Sequence, residues 1–209
     1  MFLNSVDKQL LLLITSLAGR PEIVEHFYLA GGTAIALQLG HRTSVDLDMF
    51  TRDRFNMELL TNAIIEPGGQ VIQAETGGVH GIITGVKVSF LFYPYPMLQP
   101  LLTFHNLRIA SLEDIAAMKT VAISERGDKK DFFDMYEILK TVSPQDLKKL
   151  FLDKFSEARI NCYHILKSFF YFDDAEQQPD PITLNGTTWE DVKRYFIKHE
   201  NELMRGLMC

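Results

Sequence analysis

Apolar and polar positions recur along the chain with two different periods, and the change from one to the other divides it. Residues 5–18 carry apolar side chains at helical spacing, with Ser5 placed to cap the helix and Gly19 and Pro21 to end it. A short apolar run at 27–30 meets Gly31-Gly32, and residues 33–39 then read as a helix that stops at Gly40. Residues 44–50 alternate with a period of two, as a half-buried strand does. Residues 56–65 read as a helix ending before Pro67-Gly68-Gly69. Three runs with strand character follow at 70–75, 79–84 and 86–93, separated by Gly77-Gly78 and Gly85. That spacing predicts an antiparallel meander, closed by Tyr93-Pro94-Tyr95-Pro96 because proline cannot donate to a ladder.

From Ser111 the helical period takes over. Ser111 with Asp114 resembles a capping box, and Gly127 separates this helix from the next at 128–140. Further helices are predicted at 144–154 and 156–171. Residues 173–186 hold acids and prolines but no bases, so they form a loop. Thr187 and Glu190 are placed to cap a last helix reaching about Arg205. A strand-rich region, 1–110, is thus expected to form the core, with a helical region, 111–209, packing on it and completing the site.

Composition narrows the function classes. The 209 residues are 46% hydrophobic and 23% charged, as in a soluble globular chain with a real core. Lys and Arg total 21 against 27 acids, a net charge of −6, which argues against binding nucleic acid by blanket positive charge but leaves room for a local basic groove. Cys162 and Cys209 are too few for a disulfide framework or a zinc site and read as a buried thiol and an exposed tail thiol. The apolar run at 10–14 is too short for a signal peptide or a membrane span, so the cytoplasm is the expected compartment.

The chemistry is expected where a strand, a Gly-Gly turn and a helix lead into a strand bearing Asp46 and Asp48. Glycines let backbone amides approach a ligand, the helix N-terminus that follows suits phosphate, and Thr33 adds a hydroxyl. By alternation Ser44, Asp46 and Asp48 share one strand face, while Val45, Leu47 and Met49 share the core face. Two acids side by side repel unless a cation lies between them, and a hard divalent ion carrying nucleotide phosphates meets that need. The alternative is an exposed face with both acids solvated.

Phe27-Tyr28-Leu29-Ala30-Gly31-Gly32-Thr33-Ala34, followed by His41-Arg42-Thr43-Ser44-Val45-Asp46-Leu47-Asp48, resembles the AbiEii/AbiGii toxin branch of the nucleotidyltransferases, within the DNA-polymerase-beta-like superfamily. The likeness continues through Lys119-Thr120-Val121-Ala122-Ile123 and the segment from Arg126 to Tyr136, so it spans roughly 26–140. It implies a mixed α/β (α+β) nucleotidyltransferase fold: a small twisted mixed sheet flanked by helices, with a helical C-terminal region. It also implies the toxin half of a bacterial type IV toxin–antitoxin pair, moving a nucleotide from an NTP to an acceptor such as a tRNA 3′ end, with a cognate antitoxin as partner. Under this resemblance Gly31, Gly32, Thr33, Arg42 and Ser44 hold the nucleotide, and Asp46 and Asp48 bind Mg2+ or Mn2+. Lys119 contacts phosphate, and Asp131 is an active-site acid that orients a hydroxyl or the lysine.

The residues themselves support part of this. Lys119 projects from the apolar stripe of Ile115 and Ile123, so it either meets an anionic partner or snorkels past the core edge. Asp131 and Asp134 share a helix face, Asp131 in the first turn where the dipole favours an acid, and Asp134 within reach of Lys130. Arg42 contacts either a phosphate or an acid. His26, His80, His105, His164 and His199 show no mutual ligand spacing and read as surface or packed residues. Phe90, Phe92, Tyr93 and Tyr95 form either a base-stacking wall or the sheet core and its rim.

One departure stands out. Many members of the superfamily carry a third metal-binding carboxylate on a neighbouring strand, matched here by the run from Val86 to Leu91. Its polar face presents Lys87 and Ser89 and no acid. With Ser89 in that place, the chain uses one metal, recruits Asp131 or Glu75, or has lost transfer. The alternatives to a toxin are therefore a degenerate fold that binds nucleotide or a protein partner without catalysis, and an enzyme modifying a small molecule.

Overall fold

A computed structural model describes residues 1–156 and 161–207. Asp7, not Ser5, caps the first helix, α1 (Lys8–Leu17), its carboxylate accepting from Leu10 N at 2.7 Å; Ser5 instead closes a 3-10 turn at Leu3–Ser5. A short turn of helix, α2 (Pro21–Val24), leads into β1 (Tyr28–Leu29). Next come α3 (Gly31–Leu39), β2 (Leu47–Thr51), α4 (Met57–Ile65), β3 (Gln70–Glu75), β4 (Gly78–Ile83) and β5 (Val86–Phe92). A small hairpin, β6 (Leu102–Phe104) and β7 (Leu107–Ile109), precedes the helical region: α5 (Leu112–Glu125), α6 (Lys129–Ile138), α7 (Pro144–Lys154), α8 (Cys162–Ser168), α9 (Asp173–Glu176), α10 (Trp189–Lys198) and α11 (Glu200–Leu207).

All seven strands join one sheet in the order β3-β4-β5-β2-β1-β7-β6. The expected meander β3-β4-β5 is antiparallel throughout. The β2–β5 and β1–β7 pairs are parallel and β1–β2 antiparallel, so the sheet is mixed. Register places Asp48 opposite Ser89, and Ser89 opposite His80 on the next strand. Three adjacent strands therefore set these side chains in one row on one face.

The core packs against the sheet face opposite Asp48. Leu29, Met49, Phe90 and Ile109 are fully buried, as are Leu10 and Ile14 of α1 and Ile35 of α3. Helix α3 is buried nearly all round, and Gly40 ends it at φ +65°, donating its N–H to Ala36 O. Ser111 caps α5, accepting from Asp114 N, while Asp114 accepts from Leu98 N, Gln99 N and the buried Lys154 ammonium. Phe132, Phe172, Trp189 and Phe196 meet ring to ring and join α6, α9 and α10.

Several expectations shift. Strand β2 begins at Leu47, so Val45 is exposed, not on the core face. The last capping box is Thr188 with Asp191, one residue later than expected, and the helix it starts breaks at His199. The predicted helix at 156–171 is α8 over its described part, and residues 157–160 lie outside the described residues. Cys162 is disulfide-bonded, in place of the free thiol expected, and Cys209 lies outside the described residues. Among the described residues no helix is long and apolar enough to cross a membrane.

Candidate active site

Two cavities flank Asp48. The larger, about 580 Å³, opens beside Gly32, Asp46 and Asp48 and is closed on its far side by residues 178–182. The smaller, about 300 Å³, lies between the sheet and α5, where His80, Phe50 and Tyr93 face Met118. Asp48, Ser89, Lys119 and Arg126 line both.

The glycine turn fits around the acids. Gly31 takes φ +67°, and a Cβ there would stand 2.9 Å from Asp48 Oδ2. At Gly32 a Cβ would stand 2.5 Å from Arg42 Nη2, so neither position has room for a side chain. Thr33, expected beside the ligand, is buried; its hydroxyl donates to the Asp46 carbonyl and meets Ser44 Oγ at 2.8 Å. It braces the segment that carries Asp46. Ser44 lines the larger cavity.

Charge is distributed unevenly. Burial pushes the Asp48 carboxyl above the usual carboxylate range; a hydrogen bond from Ser89 pulls the other way, and the charge of Asp46 adds to the rise. The Asp46 carboxylate stands 3.7 Å from Lys130 Nζ. The helical acids stand in the opposite condition. Arg42 grips Asp134 with Nε at 2.6 Å and Nη2 at 2.9 Å, His41 Nε2 reaches it at 2.8 Å, and Lys119 Nζ at 2.7 Å. Burial alone would raise Asp134, but Arg42 and Lys119 outweigh it and hold the carboxyl well below its ordinary value. Asp131 is likewise lowered against burial, by Lys119 at 2.8 Å and a two-pronged contact from Arg126. Burial works against the Lys119 ammonium, yet Asp131 and Asp134 raise its pKa.

Lys119 thus meets anionic partners and does not snorkel. Asp134 pairs with Arg42, His41 and Lys119, not with Lys130, because α6 turns it inward. Arg42 pairs with an acid while still lining the larger cavity. Of the two suggested replacements for the third carboxylate, Glu75 is exposed at the sheet edge, while Asp131 lines the larger cavity with Asp46 and Asp48 and is paired with Lys119 and Arg126. Phe90 is core, whereas Tyr93 lines the smaller cavity.

The sequence pattern gave no sign of the segment 178–184. Thr43 N donates to Ile182 O and Leu184 N to His41 O, so the segment pairs with the residues just before Asp46. Asp180 accepts from Lys129 Nζ at 2.9 Å, and Gln178 bridges Lys129 N and the Asp128 carboxylate. Lys130 is a second such omission: its ammonium stands at the cavity rim because α6 starts there.

A metal fits this donor set in one place. Asp46 and Asp48 are two oxygen donors lining one cavity, and burial together with the charge of Asp46 leaves the Asp48 carboxyl under-compensated, as a hard divalent ion sharing phosphate oxygens requires. No group of three His, Cys, Asp or Glu side chains converges as a metal site among the described residues.

An uncharacterised protein of Aquifex aeolicus (strain VF5), aq_aa25, is 33% identical over 197 residues, covering 88% of this chain and 91% of the relative. The fold is shared with MenT4, a nucleotidyltransferase toxin from Mycobacterium tuberculosis H37Rv (TM-score 0.57, 15% identity, 94% of this chain and 91% of that one). It is also shared with the antibiotic-resistance factor ANT(2'')-Ia (TM-score 0.57, 16% identity, 72% and 94%). The model of the nucleotidyl transferase AbiEii toxin family, of type IV toxin–antitoxin systems, matches residues 15–202, and the chain belongs to that family.

Proposed function

We propose that this chain moves a nucleotide from an NTP to an RNA acceptor such as a tRNA 3′ end, and that a cognate antitoxin restrains it. The reading rests above all on Asp48: a carboxyl raised by burial, beside Asp46, at the wall of a cavity whose rim carries cations. The triphosphate lies against Gly31-Gly32 and the N-terminus of α3, where free amides and the helix dipole favour anions. Lys87 and Lys130 at the rim and Arg126 between the cavities offset phosphate charge. Lys119, fixed by Asp131 and Asp134, holds a proton and a positive charge at the junction of the two cavities. Mg2+ or Mn2+ held by Asp46 and Asp48 supplies charge neutralisation for the phosphates. The acidic surface restricts an RNA to docking through its end and a small basic patch.

The test is incubation with each labelled NTP, Mg2+ and total tRNA, alongside Asp46→Ala and Asp48→Ala. Label on RNA that disappears in both variants is the expected result. No label on any acceptor, with NTP binding intact, would sink the catalytic reading. Growth arrest on expression, relieved by co-expressing the gene beside its own, tests the biological role.

A further inference from the structure

Ser89 offers no charge where a third carboxylate would stand, but it is not an idle residue. Its hydroxyl donates to Asp48, and His80 Nδ1 lies 3.1 Å from Ser89 Oγ. A hydroxyl has one proton; with that proton on Asp48, Ser89 accepts from His80. In that arrangement the imidazole carries its proton on Nδ1 and a lone pair on Nε2. The ring extends along β4 to Gly78, where a Cβ would stand 3.5 Å from Nε2 and 2.9 Å from Leu91. The ring lines the smaller cavity together with Gly31 of the glycine turn, Asp48 and Ser89.

We propose that His80, oriented by Ser89, takes the proton from the acceptor hydroxyl, so that a histidine–serine pair replaces the third carboxylate. This rests on the transfer reading above. The acceptor oxygen enters by the smaller cavity and bonds to the α phosphorus of the NTP. The bond from that phosphorus to the bridging oxygen breaks, pyrophosphate leaves with the electron pair, and the acceptor's proton goes to His80 Nε2. The other titratable groups lining the cavity are Asp48 from β2, Tyr93 after β5, and Lys119, Glu125 and Arg126 from α5; Gln73, opposite His80 on β3, is uncharged. His80 is the catalytic residue here and Ser89 a positioning residue.

Two measurements decide it. In full-length protein labelled with 15N-histidine, NMR should show His80 with its proton on Nδ1, and Ser89→Ala should lose that preference. A proton on Nε2 in the wild type overturns the proposal. In the tRNA-labelling assay, His80→Gln should slow transfer by roughly 10²–10⁴-fold and remove the acid limb of the kcat/KM profile, with NTP affinity unchanged. A His80→Gln protein with wild-type rate and the same acid limb overturns this inference alone. A wild type that labels no acceptor overturns the transfer reading and the role of His80 with it.

Discussion

The chain holds two pairs of acids at one site and treats them in opposite ways. Asp131 and Asp134 are buried under a surplus of cations, and both are stabilised as anions. Asp46 and Asp48 line the larger cavity, Lys130 stands 3.7 Å from Asp46, and burial drives Asp48 towards its neutral form. The first pair is complete without a ligand, whereas the second becomes comfortable only when positive charge arrives. A satisfied ionic cluster ties α5 and α6 to the segment after α3, and the unsatisfied pair lining the same cavity is where the proposed function seats its metal-bound substrate.

The largest effect should come from breaking the satisfied pair. Asp134→Ala leaves Arg42 and Lys119 buried without their shared partner and should cost about 3–5 kcal/mol in urea denaturation. The same cluster sets the acid behaviour. Asp131 and Asp134 have folded values below their unfolded ones, so their contribution is complete above the ordinary carboxylate value of about 3.9 and is lost as pH falls through the folded values. Acid unfolding should accordingly move to higher pH in Asp131→Asn.

A smaller loss is expected at the turn. Gly31→Ala forces a side chain into φ +67° and against Asp48, and should cost about 1–2 kcal/mol by thermal unfolding while lowering NTP affinity. Asp48→Asn should do the reverse for stability. Its folded value is raised, so the ionised form opposes folding as pH rises through the carboxylate range. The variant should gain about 1 kcal/mol at pH 7, lose that advantage near pH 3, and transfer nothing. An Asp48→Asn protein less stable than wild type at pH 7 would erase the contrast between the two pairs. Lys130→Ala, at a half-exposed and distant pair, should change stability by no more than about 0.5 kcal/mol.

Local pattern made much of this legible. Alternation and glycine placement located β2, the meander and the turn at Gly31, because these depend on neighbours in sequence. The β6–β7 hairpin escaped because its turn, His105-Asn106, enters the left-handed region without glycine, at φ 47° and 68°. Asp134 escaped for another reason: Arg42 lies 92 residues before it, and no spacing rule spans that interval. His80 reads from the sequence only as a surface or packed histidine, since its contact with Ser89 comes from register between strands. Ser89 was visible as a missing charge, but its partners were not.

The segment 178–184 has a consequence for the life of the chain. The glycine turn, Asp46, Asp48 and Lys119 are all synthesised before residue 120, yet one wall of the larger cavity arrives only with residues 178–182. At about 5–20 residues per second, a nascent chain carries its chemical groups for several seconds before the pocket can close around them. The larger cavity is thus complete only when the last quarter of the chain has folded back onto the first.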